Sequence, residues 1–242
     1  MKLKIMTFNI QHGRNNNLPG DVMDLNLIAQ VIKDQNPHIL SINEIRQGIN
    51  TDNPAYPNQP ELFKNTLGGD CYFGNSLQFS ETCFYGNAVW SVYPFVNKQK
   101  VMIPDVPKEE RTEGYYETRC ILRTDYTIEG KPLTVLSAHF GLGKGESENA
   151  VQTVLDIAKS VNNPIILMGD FNVTPANPNI KRLAEYFTDV HAALGREEYT
   201  FTSNDPYERI DYIFAKGLTP ISANTVKVIA SDHFPITAEL EF

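Results

Sequence analysis

The feature that most constrains the fold is a recurrence of short apolar segments rich in β-formers, which outnumber the helical repeats. "LKIMTFNI", "HILSINEI", "NAVWSVYPFV", "TRCILRTDYTI", "LTVLSAHF", "PIILMG", "RIDYIFA" and "ITAELEF" follow one another along the chain. Helical spacing occurs between them. Leu25, Ile28, Ala29 and Ile32 fall at i, i+3, i+4 and i+7 after Asp24 as N-cap, with Pro37 at the exit. Val151, Val154, Leu155 and Ala158 repeat the spacing before Pro164, and a shorter helix is expected over 178–186. Residues 47–70 and 97–118 are rich in Pro, Asn, Gly and charge and read as loops. This order fits two packed sheets with helices covering the outer faces. A doubly wound parallel sheet is the competing architecture. With no repeat, low-complexity tract or linker, residues 1–242 read as a single domain.

Composition narrows the function classes. The formal net charge is −8, and no block of Lys or Arg runs along the chain. Most non-specific affinity for nucleic acid comes from basic side chains neutralising phosphates, so a grip on long duplex DNA is disfavoured. A small phosphorylated molecule remains compatible, particularly where a metal cation supplies positive charge. The three cysteines, Cys71, Cys83 and Cys120, have no C-x-x-C spacing and read as buried free thiols. No apolar run is long enough to span a bilayer. The start, "MKLKIMTFNI", enters a strand without a signal-type stretch, so a cytoplasmic location is expected.

Several apolar segments end in a residue able to bind a metal or a phosphate. Asn9 closes "KIMTFN", Glu44 closes "ILSINE", His139 closes "LTVLSAH", and Asp170 and Asn172 close "IILMGDFN". Taken singly, each fits an ordinary turn or a solvated strand end. Asp211, between Ile210 and "YIFA", is harder to assign that way, because a half-buried carboxylate needs a partner. Asp232 and His233 stand directly before the last apolar strand.

Together, "TFNIQHG", "ILSINEI", "NAVWSVYPF", "LSAHFGL", "ILMGDFNVTP", "RIDYIF" and "SDHFPI" resemble, in order, the endonuclease/exonuclease/phosphatase family of metal-dependent phosphoesterases. The resemblance implies a four-layer α/β/β/α sandwich, two packed mixed sheets flanked by helices, with an active site at one edge of the central sheets. It also implies hydrolysis of a phosphate ester by water. Glu44 would be the principal ligand of Mg²⁺ or Mn²⁺, helped by Asn9 and Asp232, since hard oxygen donors suit these ions. Asp170 would orient or deprotonate the attacking water, and Asn172 would hydrogen-bond a phosphate oxygen. His233, paired with Asp211, would contact the scissile phosphate, and His139 is a second phosphate-contacting or general-acid candidate. Which histidine protonates the leaving group stays open.

Around this core, Arg119 and Tyr116 are expected to reach the phosphate, and His12, Arg14 and Asn15 to line the pocket. Trp90 reads as core, His38 as a strand-start residue, and His191 as exposed at a loop or helix end. Val92 stands where many relatives carry an arginine, and the segment after His139 offers only Lys144. The leading expectation is a phosphoesterase acting on a small phosphodiester or phosphomonoester. A nuclease acting on DNA or RNA is the second, and a non-catalytic phospholigand-binding module the third.

Overall fold

The strands recognised in the sequence have apolar residues on both faces, and the fold supplies a partner for each face. The computed structural model describes residues 1–48, 57–111 and 116–242. Its first half contains β1 (Lys2–Asn9), α1 (Leu25–Gln35), β2 (Ile39–Gly48), α2 (Gln59–Leu67), β3 (Asp70–Ser80), β4 (Cys83–Ser91) and β5 (Asn97–Met102). There follow β6 (Cys120–Ile128), β7 (Lys131–His139), α3 (Lys144–Ser160), β8 (Ile165–Asp170), α4 (Pro178–Ala184), β9 (Thr188–Asp189) and α5 (Val190–Ala193). The last elements are β10 (Asp211–Lys216), β11 (Thr219–Thr225) and β12 (Ile236–Glu241).

The strands form two six-stranded sheets, ordered β11-β12-β1-β2-β4-β3 and β5-β6-β7-β8-β10-β9. Both are mixed: β1 runs parallel to β2 and antiparallel to β12, and β7 runs parallel to β8, which is antiparallel to β10. Leu3, Ile5, Ile39 and Val89 of the first sheet pack against Leu122, Val135, Ile166, Met168 and Ile213 of the second. On the outer face of the first sheet, Met6, Phe8, Leu40 and Ile42 meet Ile28 and Ile32 of α1 and Phe63 of α2. On the outer face of the second, Leu136, Ile165 and Leu167 meet Val151, Val154 and Ala158 of α3. Burial on both faces gives the four-layer sandwich; the doubly wound parallel sheet is set aside.

The helices follow from their sequences. Asp24 accepts the Leu27 N–H at 3.0 Å and opens α1, and Asn36 closes it in the left-handed region at φ 46°. The expected apolar stripe of α1 is buried. Trp90 is core, with its Nε1 donating to the Gly68 carbonyl at 2.6 Å. His38 is satisfied at its strand start, its Nδ1 accepting the Lys4 N–H at 3.0 Å.

Four expectations change. Residues 97–102 form an edge strand, β5, whose Asn97-Lys98-Gln99-Lys100 run is exposed and carries no apolar alternation. Residues 59–67 form a helix opened by Pro60 in its first turn, rather than a loop. The remainder of those two predicted loops includes 49–56 and 112–115, which lie outside the described residues. Cys83 and Cys120 are buried, but Cys71 is only half-buried, and all three are free thiols.

His191 is the fourth correction, being 1% exposed in α5 against β11 rather than at the surface. Burial lowers its pKa from 6.5 to about 4, outweighing the Asp189 charge and the backbone at Asn224, which both raise it. A folded-state pKa below the unfolded value means that the unfolded chain takes up the proton first. The stability from neutral His191 is therefore complete above about pH 6.5 and lost progressively towards pH 4, on the order of 3 kcal/mol in all. Urea unfolding at pH 7 and pH 5 should show this loss, and His191→Phe should reduce it. An unchanged pH dependence in the variant would contradict the assignment.

Candidate active site

The period of two along a strand places most of the polar candidates together. On β1, Leu3 and Ile5 face the other sheet, so Thr7 and Asn9 continue the same inward row. On β8 the inward row is Ile166, Met168 and Asp170; on β7 it is Leu133, Val135, Ser137 and His139. Ile213 and Ala215 put Asp211 on the inward side of β10. Register completes the arrangement: Asn9 stands beside Asn43, and Asp170 beside both His139 and Asp211.

Glu44 follows a different rule. Leu40 and Ile42 face the helices, and simple alternation would send Glu44 the same way. The register between β2 and β4 shifts between Ile42 and Ile45, and Glu44 adopts φ 59°. Ile45 then takes the helix-facing position, and the Glu44 carboxylate accepts from Asn9 Nδ2 at 3.0 Å. A bulge thus turns an acidic residue from the outer layer into the cleft.

Asp170 lies at the centre. Its Oδ2 accepts from Asn9 Nδ2 of the opposite sheet at 2.9 Å, and its Oδ1 accepts the Asn172 N–H at 2.9 Å. Oδ2 also lies 3.4 Å from His139 Nε2 and 3.6 Å from His233 Nε2. His233 Nδ1 bonds Asp211 Oδ2 at 2.8 Å. Ligating atoms of Asp170, Asp211 and His233 all fall within 4.8 Å of one another.

Electrostatics sharpen the picture. Burial, reinforced by the Asp211 charge, pushes the Asp170 pKa up despite the opposing pull of His233. Burial alone would depress His233, but Asp211 and Asp170 outweigh it and hold its pKa above the ordinary histidine value. Burial pushes Glu44 up, with the Asp232 charge adding to the effect, and burial pushes Asp232 up as well. Glu44 and Asp232 form a hard-oxygen donor set, and a divalent cation would relieve the repulsion that Asp232 exerts on Glu44. The residues present fit such an ion. Asn9 Oδ1 accepts the Gln11 N–H at 3.0 Å, and its NH₂ faces Glu44 and Asp170. It braces two carboxylates.

His139 has a defined tautomer. Arg119 Nη1 lies 2.9 Å from its Nδ1, and a guanidinium can only donate, so Nδ1 carries the lone pair and Nε2 the proton. Burial, followed by the Arg119 charge, holds its pKa well below the usual value. Asn172 Nδ2 sits 3.1 Å from Nε2 while donating to the Phe140 carbonyl at 2.9 Å. Two N–H donors therefore stand side by side next to Asp170.

The outer candidates are arranged differently. Arg119 is 8% exposed and pairs with Glu117 at 2.7 Å, so it meets His139 rather than open solvent. Tyr116 is not brought to the cluster: its hydroxyl bonds Asp105 Oδ1 at 2.9 Å and the Val106 N–H at 3.0 Å, under the Arg111 guanidinium. Arg14 pairs with Asp21 at 3.4 Å. His12, in the 3₁₀ turn after β1, has its pKa lowered to about 4 by burial and the Arg46 charge. Asn15 is buried and its Oδ1 accepts the Asn17 N–H at 2.9 Å.

Sequence reasoning missed Asn43. Its Oδ1 accepts the Asp170 N–H at 3.0 Å, and its Nδ2 donates to Ala138 O at 3.1 Å and Asn87 Oδ1 at 2.9 Å. It clamps the backbone beneath both Asp170 and His139. Its signal was available: a polar residue on the inward row of a strand buried on both faces must find partners in the facing sheet.

A cleft of buried carboxylates, a carboxylate–histidine pair and convergent N–H donors between two sheets is a phosphoesterase arrangement, and the comparisons agree. The Endonuclease/Exonuclease/phosphatase family matches residues 6–233, and the chain belongs to that family. A UPF0294 protein of Yersinia pseudotuberculosis is 31% identical over 141 residues, 56% of this chain and 53% of the relative. The match thus spans about half the length of that curated relative. An endonuclease/exonuclease/phosphatase from Beutenbergia cavernae superposes with a TM-score of 0.83 at 24% identity, covering 100% of this chain and 72% of the other. The mannosyl-6-phosphatase of Bacteroides thetaiotaomicron gives a TM-score of 0.77 at 18% identity over 99% and 100% of the two chains. Members of the family are hydrolases acting on phosphate esters. Among the described residues, no helix is long and apolar enough to cross a membrane.

Proposed function

We propose that this protein is a Mg²⁺- or Mn²⁺-dependent phosphoesterase that hydrolyses a small phosphodiester or phosphomonoester by direct attack of water. The observation that carries the reading is the position of Asp170, tied to the opposite sheet through Asn9 and within 3.4 and 3.6 Å of two histidine Nε2 atoms. Glu44 and Asp232 would hold the ion. When bound, it supplies positive charge for a phosphoryl oxygen and the departing oxyanion.

The remaining roles belong to the chain. Asp170, its pKa raised by burial, is suited to accept a proton from the attacking water near neutral pH. His233 is held cationic by Asp211 and is the proton donor to the leaving oxygen. His139, with Arg119 on its Nδ1, serves as a neutral donor. Its Nε2–H and the Asn172 NH₂ would stabilise the charge that develops on the phosphoryl oxygens. The acid is thus assigned to His233 rather than His139. The net charge of −8 favours a small substrate over a long polyanion, and the likeness in fold to the Bacteroides mannosyl-6-phosphatase supports the same side.

The test is hydrolysis of bis(p-nitrophenyl) phosphate and p-nitrophenyl phosphate by purified protein. Turnover should vanish with EDTA and return with Mg²⁺ or Mn²⁺. Full activity after metal stripping would remove the cation from the reading, and no turnover of any ester with either metal would remove the reading itself. Single-stranded RNA and nicked DNA, assayed alongside, test the nuclease alternative.

A further inference from the structure

Beside His233 the chain forms a short hairpin that the proposed chemistry does not use. Phe201 pairs with Glu208 across the hairpin, and Tyr207 donates its N–H to Phe201 O at 2.9 Å. Phe201 also bridges to His233, Phe234 N–H donates to Thr200 O at 2.7 Å, and Ser203 N–H donates to Asp232 O at 2.7 Å. The hairpin is thereby fastened to the Asp232–His233 segment. Its aromatic rings continue the same line. The Phe201 ring lies 4.9 Å from the His233 ring, and Tyr207 meets Phe201 edge-on at 5.7 Å while remaining 56% exposed.

A lone exposed aromatic on a protein surface needs no explanation. Tyr207 is not isolated, because it extends a row of rings from the candidate phosphate site outwards on backbone already fixed by hydrogen bonds. We propose that Phe201 and Tyr207 form a stacking shelf for a heterocyclic base carried by the phosphate ester, so that the substrate is a nucleotide-type small molecule. The inference rests on the phosphoesterase reading of the adjoining site. Rigid aromatic faces hold bases without regard to sequence, and the net charge of −8 gives a long polynucleotide little further attraction.

The matched probes are the non-hydrolysable phosphonate analogues of AMP and of methyl β-ribofuranoside 5-phosphate, in which a methoxy group takes the place of the base on the same fixed ring. With Mg²⁺ present, calorimetry should show the AMP analogue binding at least about tenfold more tightly. Tyr207→Ala should bring that ratio close to one by weakening the AMP analogue alone, and Tyr207→Phe should preserve it. Equal affinities in the wild type, or an unchanged ratio in Tyr207→Ala, would overturn the shelf. If the ribose analogue binds and the ester reporters are hydrolysed in that case, the phosphoesterase reading survives. If neither analogue binds and no ester is cleaved, both fall. A decamer of deoxyadenylate should bind no more tightly than the AMP analogue. Much tighter, steeply salt-dependent binding would overturn the small-molecule assignment in favour of a polymer end.

Discussion

Asp170→Asn is expected to lower kcat on phosphate-ester reporters by at least about 10²-fold, the scale on which a positioned general base acts. The substitution removes the negative oxygen that would accept the proton of water. It also disturbs the brace, because Oδ1 must still accept the Asn172 N–H and the new amide would then confront Asn9 Nδ2, donor against donor. The clash is local, so near-native circular dichroism and an intact unfolding transition should accompany the lost turnover. Rates close to wild type would show that another group activates the water.

Gly169→Ala should produce the largest loss of stability. Gly169 has φ +146°, and a Cβ there would sit 1.8 Å from the Ala138 carbonyl oxygen on the neighbouring strand. Neither backbone can move aside without breaking the parallel pairing that sets His139 beside Asp170. Steric overlap and an unfavourable backbone conformation together should cost about 3 kcal/mol or more. Activity should fall as well, because both flanking side chains would be displaced. Urea denaturation measures the first effect and ester hydrolysis the second; an unchanged midpoint would mean that the strands can separate at low cost. The glycine in "GDFN" is therefore a requirement of close strand approach, not simply a turn signal.

Much of the fold was legible because its central strands are apolar on both faces and end in residues of one chemical type. Asn9, His139, Asp170 and Asp211 could be brought together by strand period alone once the sheets were known to pack face to face. The edge strands were less legible, since β5 is a run of solvated polar residues with no alternation to detect. The inward turn of Glu44 depends on a bulge, which leaves little trace in a single sequence. The orientation of Arg119 towards His139 depends on Glu117 holding its other end, a contact that loop composition does not reveal. His191 was misjudged because a polar residue near a helix end usually faces water, whereas here a four-residue helix is pressed against β11. Asn43 was passed over because its partners lie in strands far along the chain.

The hydrogen bond between Asn9 and Asp170 joins two separately built halves of the molecule. Alignment of the reacting groups is consequently set by how the sheets seat on one another, much as the bite of a pair of pliers is set by its pivot. A volume change at Met168 or Val135, deep in the shared interior and remote from any bound ester, would be felt at the cleft as a shift of one jaw against the other.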